Sequence, residues 1–184
     1  MLPNQKPNAM QKIVLRYGLI AGLILAAFMA TSIPMWRSGK PIPSYSEIVG
    51  YAVMVAAFST IFFGVRSFRD KSLDGQISFG KAFLTGLGIS LIASAFYVIA
   101  WLIIYETAAK DFADLYSQQY VEQLQKSGKT AAEIETQLVK VEKSMALYEN
   151  NVFYRIAITL MEVFPVGLLV SLICAGLLKR KHSV

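Results

Sequence analysis

The chain is short of the residues on which most catalysis depends. Among 184 residues there is one cysteine, Cys174, and one histidine, His182. A lone cysteine excludes an internal disulfide framework, and the pair excludes the Cys/His spacings of a zinc site. His182 stands at the tail, remote from any acid cluster, so no Ser-His-Asp or Cys-His set can be assembled. No acid–base pair for a single cleft presents itself either. These absences point to a protein that is not an enzyme and has no catalytic residue, metal or cofactor. Charge is scarce too. Only 16% of residues are charged and 55% are hydrophobic, where a soluble domain carries about 25% charged residues. Mean hydropathy is +0.48.

What is present comes in apolar blocks. Four windows stand out, at 13–33, 48–65, 82–105 and 152–178. The second and third hold no charge, the first only Arg16, and the fourth Arg155 and Glu162. A bilayer core requires about 20 apolar residues as helix, because the backbone must satisfy its own hydrogen bonds there. Buried helices of a soluble bundle would keep a polar stripe. The expectation is an all-α chain, a single membrane domain over 1–184 with four spanning helices. The first window is too long for a signal-peptide apolar region, so it is read as a span.

Lysine and arginine set the expected orientation. Lys6, Lys12 and Arg16 precede the first window, Arg66, Arg69, Lys71 and Lys81 lie between the second and third, and Lys179, Arg180 and Lys181 close the chain. The connection on the opposite side carries only Arg37 and Lys40. The positive-inside rule then places both termini in the cytoplasm of an inner-membrane protein. The net charge of +6 is explained by these flanks, without nucleic acid as a partner. Trp36, Trp101 and Tyr105 fall where interface aromatics belong.

The segment 106–151 then lies outside. It holds five lysines and eight acids. Residues 107–125 lack Pro and Gly, and the third span is expected to run on into them as helix. Ser127-Gly128-Lys129 marks a turn, and Thr130 with Glu133 forms a capping box for a second arm. On that arm Ile134, Leu138, Val141, Met145 and Tyr148 repeat as a heptad seam, facing Phe112, Leu115, Tyr116, Tyr120 and Leu124. An extracytoplasmic, coiled-coil-like helical hairpin follows. Ile134, Leu138, Val141 and Met145 are its candidate docking residues, for a second copy or another membrane protein. The Gly-Lys-Thr of its turn is no phosphate loop, since Gln123 stands where the first glycine is required.

Small residues recur every fourth position. The sets are Gly18, Gly22, Ala26, Ala30; Ala52, Ala56, Thr60, Gly64; Ala82, Gly86, Ser90, Ser94; and Gly167, Ser171, Ala175. Such stripes allow close helix approach, and all four are expected to face inward. Glu162, three residues before Pro165, is the candidate intramembrane functional residue, because a carboxyl in hydrocarbon is costly and pairs within the bundle. Tyr97 lies at similar depth and is its candidate neighbour. Pro165 is expected to kink its helix.

The second connection carries a recognisable pattern. It reads Gly64-Val65-Arg66-Ser67-Phe68-Arg69-Asp70, then Gly75-Gln76-Ile77-Ser78-Phe79-Gly80-Lys81-Ala82-Phe83 and Gly86, with an earlier Tyr17-Gly18. This resembles the bacterial family known as domain of unknown function 4199, over nearly the whole chain. The resemblance implies a bacterial inner-membrane protein with four spans and a charged insert before the last; it implies no activity. Asp74-Gly75 is expected to turn and Ser78 to cap the third span. Arg66, Arg69 and Lys71 are candidate contacts for anionic lipid headgroups. The leading functional expectation is a scaffold, assembly or regulatory subunit. The alternatives are a small oligomeric transporter or channel subunit using Glu162, and an extracytoplasmic sensor.

Overall fold

Seven helices form among the described residues, 9–37 and 46–180 of the computed structural model. Lys6, Lys40, Lys181 and His182 lie outside the described residues, as do the side chains of Trp36 and Arg37. The helices are α1 (Ala9–Arg37), α2 (Ser46–Phe58), α3 (Thr60–Ser72), α4 (Phe79–Ala108), α5 (Phe112–Gln125), α6 (Ala131–Asn150) and α7 (Val152–Leu178). Four segments are long and apolar enough to cross a membrane: Ala9–Pro34, Glu47–Ser72, Phe79–Ala108 and Val152–Leu178. They are the four windows read from sequence: the first begins four residues earlier, the second runs seven residues further, the third gains three at each end, and the fourth is unchanged. Pro165 is carried inside α7 without interrupting it.

The second span is broken at Ser59. Its hydroxyl donates to the Ala56 carbonyl at 2.6 Å, and the Thr60 hydroxyl to Ala57 at 2.8 Å. Such back-bonding competes with the regular ladder. The buried face nonetheless runs on through it at heptad spacing, and a stripe of four-residue steps drifts away from that face. Met54, Ala57 and Phe58 are buried before it, and Ile61, Gly64 and Val65 after it. Ala52 and Ala56 therefore face outward, which corrects the inward stripe expected for this span. The other stripes turn in through most of their length, though Ala30, at the end of the first, is exposed.

α4 is the central post. α1 and α7 pack along its two sides, and α3 packs against all three. α2 packs on α1 and α7 but hardly touches α4. The core is filled by Leu25, Phe58, Ile61, Val65, Ile89 and Val163. Glycines set the closest approaches. A Cβ on Gly18 would lie 2.6 Å from Ile92 Cβ, and one on Gly167 would strike the Ser90 hydroxyl and the Phe58 ring. The α4–α7 seam is lined with hydroxyls. Thr85 donates to Lys81 O at 2.8 Å and Ser171 to Gly167 O at 2.7 Å, while the buried Ser90 and Ser94 hydroxyls have no hydrogen-bond partner among the described residues. Large apolar side chains such as Phe153, Met161 and Leu177 face outward, more than 70% exposed. Apolar flanks around a tight, small-residue interior are the arrangement lipid favours, and the protein is a multi-pass membrane protein.

α4 does not continue into the hairpin, contrary to the expected long arm. It ends at Ala108, and Phe112 donates its amide to Ala109 O in a turn at 3.0 Å before α5 begins. The turn folds Phe112 back onto Trp101 and Tyr148, with ring centroids 5.1 and 5.6 Å away. α6 opens with the expected capping box: the Thr130 amide donates to Glu133 Oε2 at 2.9 Å and the Glu133 amide to Thr130 Oγ1 at 3.4 Å. That bonding holds the Glu133 carboxyl below its ordinary range. α5 and α6 pack on each other, and Tyr120 and Lys129 both donate to Gln137 Oε1, at 3.2 and 3.0 Å.

Candidate functional site

At the base of the hairpin three helices meet on one side chain. Arg155, in the first turn of α7, is 4% exposed. Its Nε donates to Tyr148 O at 3.1 Å, one terminal nitrogen to Glu149 O at 3.0 Å, and the other to Glu106 Oε1 at 3.1 Å. Its guanidinium carbon sits 3.6 Å from the centroid of the Tyr105 ring and 5.6 Å from that of Tyr148. The indole of Trp101 donates to the Tyr148 hydroxyl. Burial pushes the Tyr148 phenol above its ordinary value, opposed by the Trp101 bond and by Arg155. A buried cation is tolerated only when paired and hydrogen-bonded. Here carbonyls of α6, a carboxylate of α4 and two aromatic faces meet that need together. The cluster ties α6 to α4 and α7. Reading the sequence missed it. The signal was Glu106 and Arg155 at matching ends of consecutive apolar windows.

Further along the hairpin, Ile134, Leu138, Val141 and Met145 form the half-buried side of α6. Two helices are too thin to cover such a seam. Ala113, Leu124 and Tyr148 are the buried residues of the hairpin, while Tyr116, Val139 and Leu147 remain exposed.

A second constellation lies deeper in the span. Glu162 on α7 and Tyr97 on α4, the two intramembrane candidates, lie within electrostatic reach of each other, and Tyr51 on α2 lies within reach of Tyr97. Tyr97 packs against both apolar clusters of the molecule. Glu162 has protein on most sides, yet its side chain is accessible. It forms no hydrogen bond or ion pair among the described residues. Glu47, at the start of α2, lies in turn near Tyr116 of α5.

At the opposite end the basic loop meets the tail of α7. Asp74 and Gly75 take the expected turn with φ of 51° and 80°, and Ser78 caps α4. Ile77 and Arg180 exchange backbone hydrogen bonds of 3.2 and 2.9 Å. Arg69 is turned inward: its Nε donates to Asp70 at 2.7 Å and a terminal nitrogen to Leu178 O at 3.4 Å, at the carbonyl end of α7. Arg66 pairs with Asp70 at 3.5 Å and stays exposed, as does Lys71. Of the three headgroup candidates, Arg69 is thus occupied as a clasp.

Among the described residues no group of three or more His, Cys, Asp or Glu side chains is placed to hold a metal ion. Across known proteins, the family described as Protein of unknown function (DUF4199) matches residues 16–180, and the chain belongs to that family. No curated protein and no solved structure matches the chain.

Proposed function

We propose that this member of the family is a non-enzymatic subunit of the bacterial inner membrane, a scaffold or assembly factor that presents its α5–α6 hairpin on the extracytoplasmic side. Both termini and the Asp74-Gly75 loop lie in the cytoplasm, following the lysines and arginines that flank the spans. The observation that carries the reading is the Arg155 cluster. It welds the base of the hairpin to α4 and α7, so the arm stands as a rigid projection rather than a loose tether. Tyr116, Val139 and Leu147 are the apolar side chains it offers to a second copy or to another membrane protein.

The test replaces residues 117–144 with a short Gly-Ser turn, keeping Phe112, Tyr148 and Arg155, and purifies tagged protein from native membranes in mild detergent. The partner, or the second copy, that accompanies the intact chain is expected to be lost. Retention of every companion overturns the reading. Orientation is checked with a cysteine at Gly128, expected to react with a membrane-impermeant thiol reagent on intact cells from which the outer membrane has been stripped. A second reading, a small oligomeric transporter or channel subunit, draws on one observation, the accessibility of Glu162 inside a span.

A further inference from the structure

We propose that the end of the bundle opposite the hairpin is a binding rim for anionic phospholipid, with Lys12, Arg16, Arg66 and Lys71 as the headgroup contacts on α1 and α3. The inference stands apart from the docking role of the hairpin.

Contacts across the spans assemble the rim. A Cβ on Gly88 would lie 3.0 Å from Val14, and one on Gly64 would lie 3.1 Å from the Tyr17 ring. Ile77 and Arg180 bond through their backbones, and Arg69 reaches Leu178 O at 3.4 Å. The starts of α1 and α4 and the ends of α3 and α7 therefore share one end. Lys12, Arg16, Arg66 and Lys71 are exposed there, with Lys81, Lys179 and Arg180 on α4 and the tail of α7. Of the chain's 12 acids only Asp70 and Asp74 stand at this end. Asp70 is held most closely by Arg69, at 2.7 Å, whose side chain is turned inward. Arg66 meets the same carboxylate at 3.5 Å while its own side chain is 58% exposed, and an exposed pair of that kind is weak. Lys12 and Arg16 stand four residues apart on the exposed side of α1, where like charges repel. The rim thus carries positive charge that the chain does not neutralise, and a shared anion relieves it.

The layer beside the cations identifies the anion. Each span turns apolar within a turn of its cation: Leu19 beyond Arg16, Phe63 beyond Arg66, Leu84 beyond Lys81 and Leu177 beyond Lys179 all face outward. Three residues of helix rise about 4.5 Å. A ligand that meets both layers offers a phosphate and, within that distance, hydrocarbon. A free phosphate meets only the first layer. A zwitterionic lipid brings its own cation and leaves the charge of the rim standing. Basic clusters beside spans attract anionic lipid in this way, over about a Debye length.

The test reconstitutes the purified full-length protein in phosphatidylcholine vesicles with a trace of spin-labelled lipid. Electron spin resonance then reads the fraction of label held at the protein surface. Labelled phosphatidylglycerol is expected to associate about threefold more strongly than labelled phosphatidylcholine, and the preference is expected to shrink as salt is raised. Lys12→Gln, Arg16→Gln, Arg66→Gln and Lys71→Gln combined are expected to erase most of it. Lys126→Gln, Lys129→Gln, Lys140→Gln and Lys143→Gln combined remove the same charge from the hairpin and are expected to leave it intact. The proposal is overturned if the wild type holds both lipids equally, as it would were the rim reserved for an acidic protein. It is overturned equally if the rim variant keeps the preference, if the hairpin variant loses as much, or if salt has no effect. Should the fourfold rim variant fail to fold, Lys12→Gln with Lys71→Gln decides the matter: about half the preference is expected to go, and full retention overturns the proposal.

Discussion

Arg155 is the residue on which the junction of membrane and hairpin turns. Arg155→Ala removes three charge-assisted hydrogen bonds and the filling between two aromatic rings. The expected loss is about 3 kcal/mol of stability, read by denaturant titration in detergent micelles. Glu106→Gln is expected to lose much less, since that carboxylate is 60% exposed and the α6 carbonyls still hold the arginine. Gly167 tests packing in the same way. Gly167→Ala pushes a methyl group into the Ser90 hydroxyl and Phe58, with an expected cost of about 1–3 kcal/mol. Combining it with Ser90→Ala is expected to recover part of that loss, a coupling that a double-mutant cycle measures. At this scale the sequence was only partly readable. Glu162 was picked out because a carboxyl inside an apolar run is costly, and Tyr97 because it lies at similar depth. Arg155 was not, because an arginine at the end of a span is ordinary, and its partner Glu106 lies 49 residues away in the chain.

Among the elements, α6 is the one whose start depends on a single local device. Thr130→Ala breaks the capping box and is expected to cost about 1 kcal/mol, seen as faster amide exchange over the first turn of α6. The same device is pH-sensitive. The Glu133 carboxyl is held below its ordinary range in the folded chain, so its contribution is complete above the unfolded value and fades as the pH falls through the folded one. Fraying of the first turn of α6 is expected in acid, below about pH 4, with no change above it; amide exchange against pH checks this. Elements were the most readable level. Uncharged runs of spanning length, the Thr130–Glu133 spacing and Asp74-Gly75 each state a local rule, and each local rule held. Two readings failed. The buried face of the second span follows Met54, Phe58, Ile61, Val65 and Phe68, and steps of four drift off it, leaving Ala52 and Ala56 outside. The chain after α4 turned at Ala109 because Phe112 gains Trp101 and Tyr148 as neighbours, which helix propensity over 107–125 does not encode.

For the whole molecule, the four-span plan was legible and the asymmetry within it was not. A regular bundle follows from four apolar windows and their stripes, whereas α4 as the post on which α1 and α7 both pack does not. The clasp at the termini end also belongs to this scale. Breaking the Arg69 bond to Leu178 with Arg69→Ala is expected to loosen the end of α7 without disturbing the Arg155 cluster. Faster amide exchange at Lys179 and Arg180, with Tyr148 and Glu149 unchanged, checks it. The hydroxyl-lined seam of α4 has a further consequence for how the chain is made. Of the four spans α7 leaves the ribosome last, and the whole hairpin must be synthesised before it. Throughout that interval Thr85, Ser90 and Ser94 face lipid with no helix against them. A chain terminated after Asn150 remains in that state, and in a pulse-chase it is expected to be cleared by membrane proteases much faster than the full-length protein. The long insert thus lengthens the period in which a nascent chain is open to surveillance, and the arrival of α7 is the step that closes it.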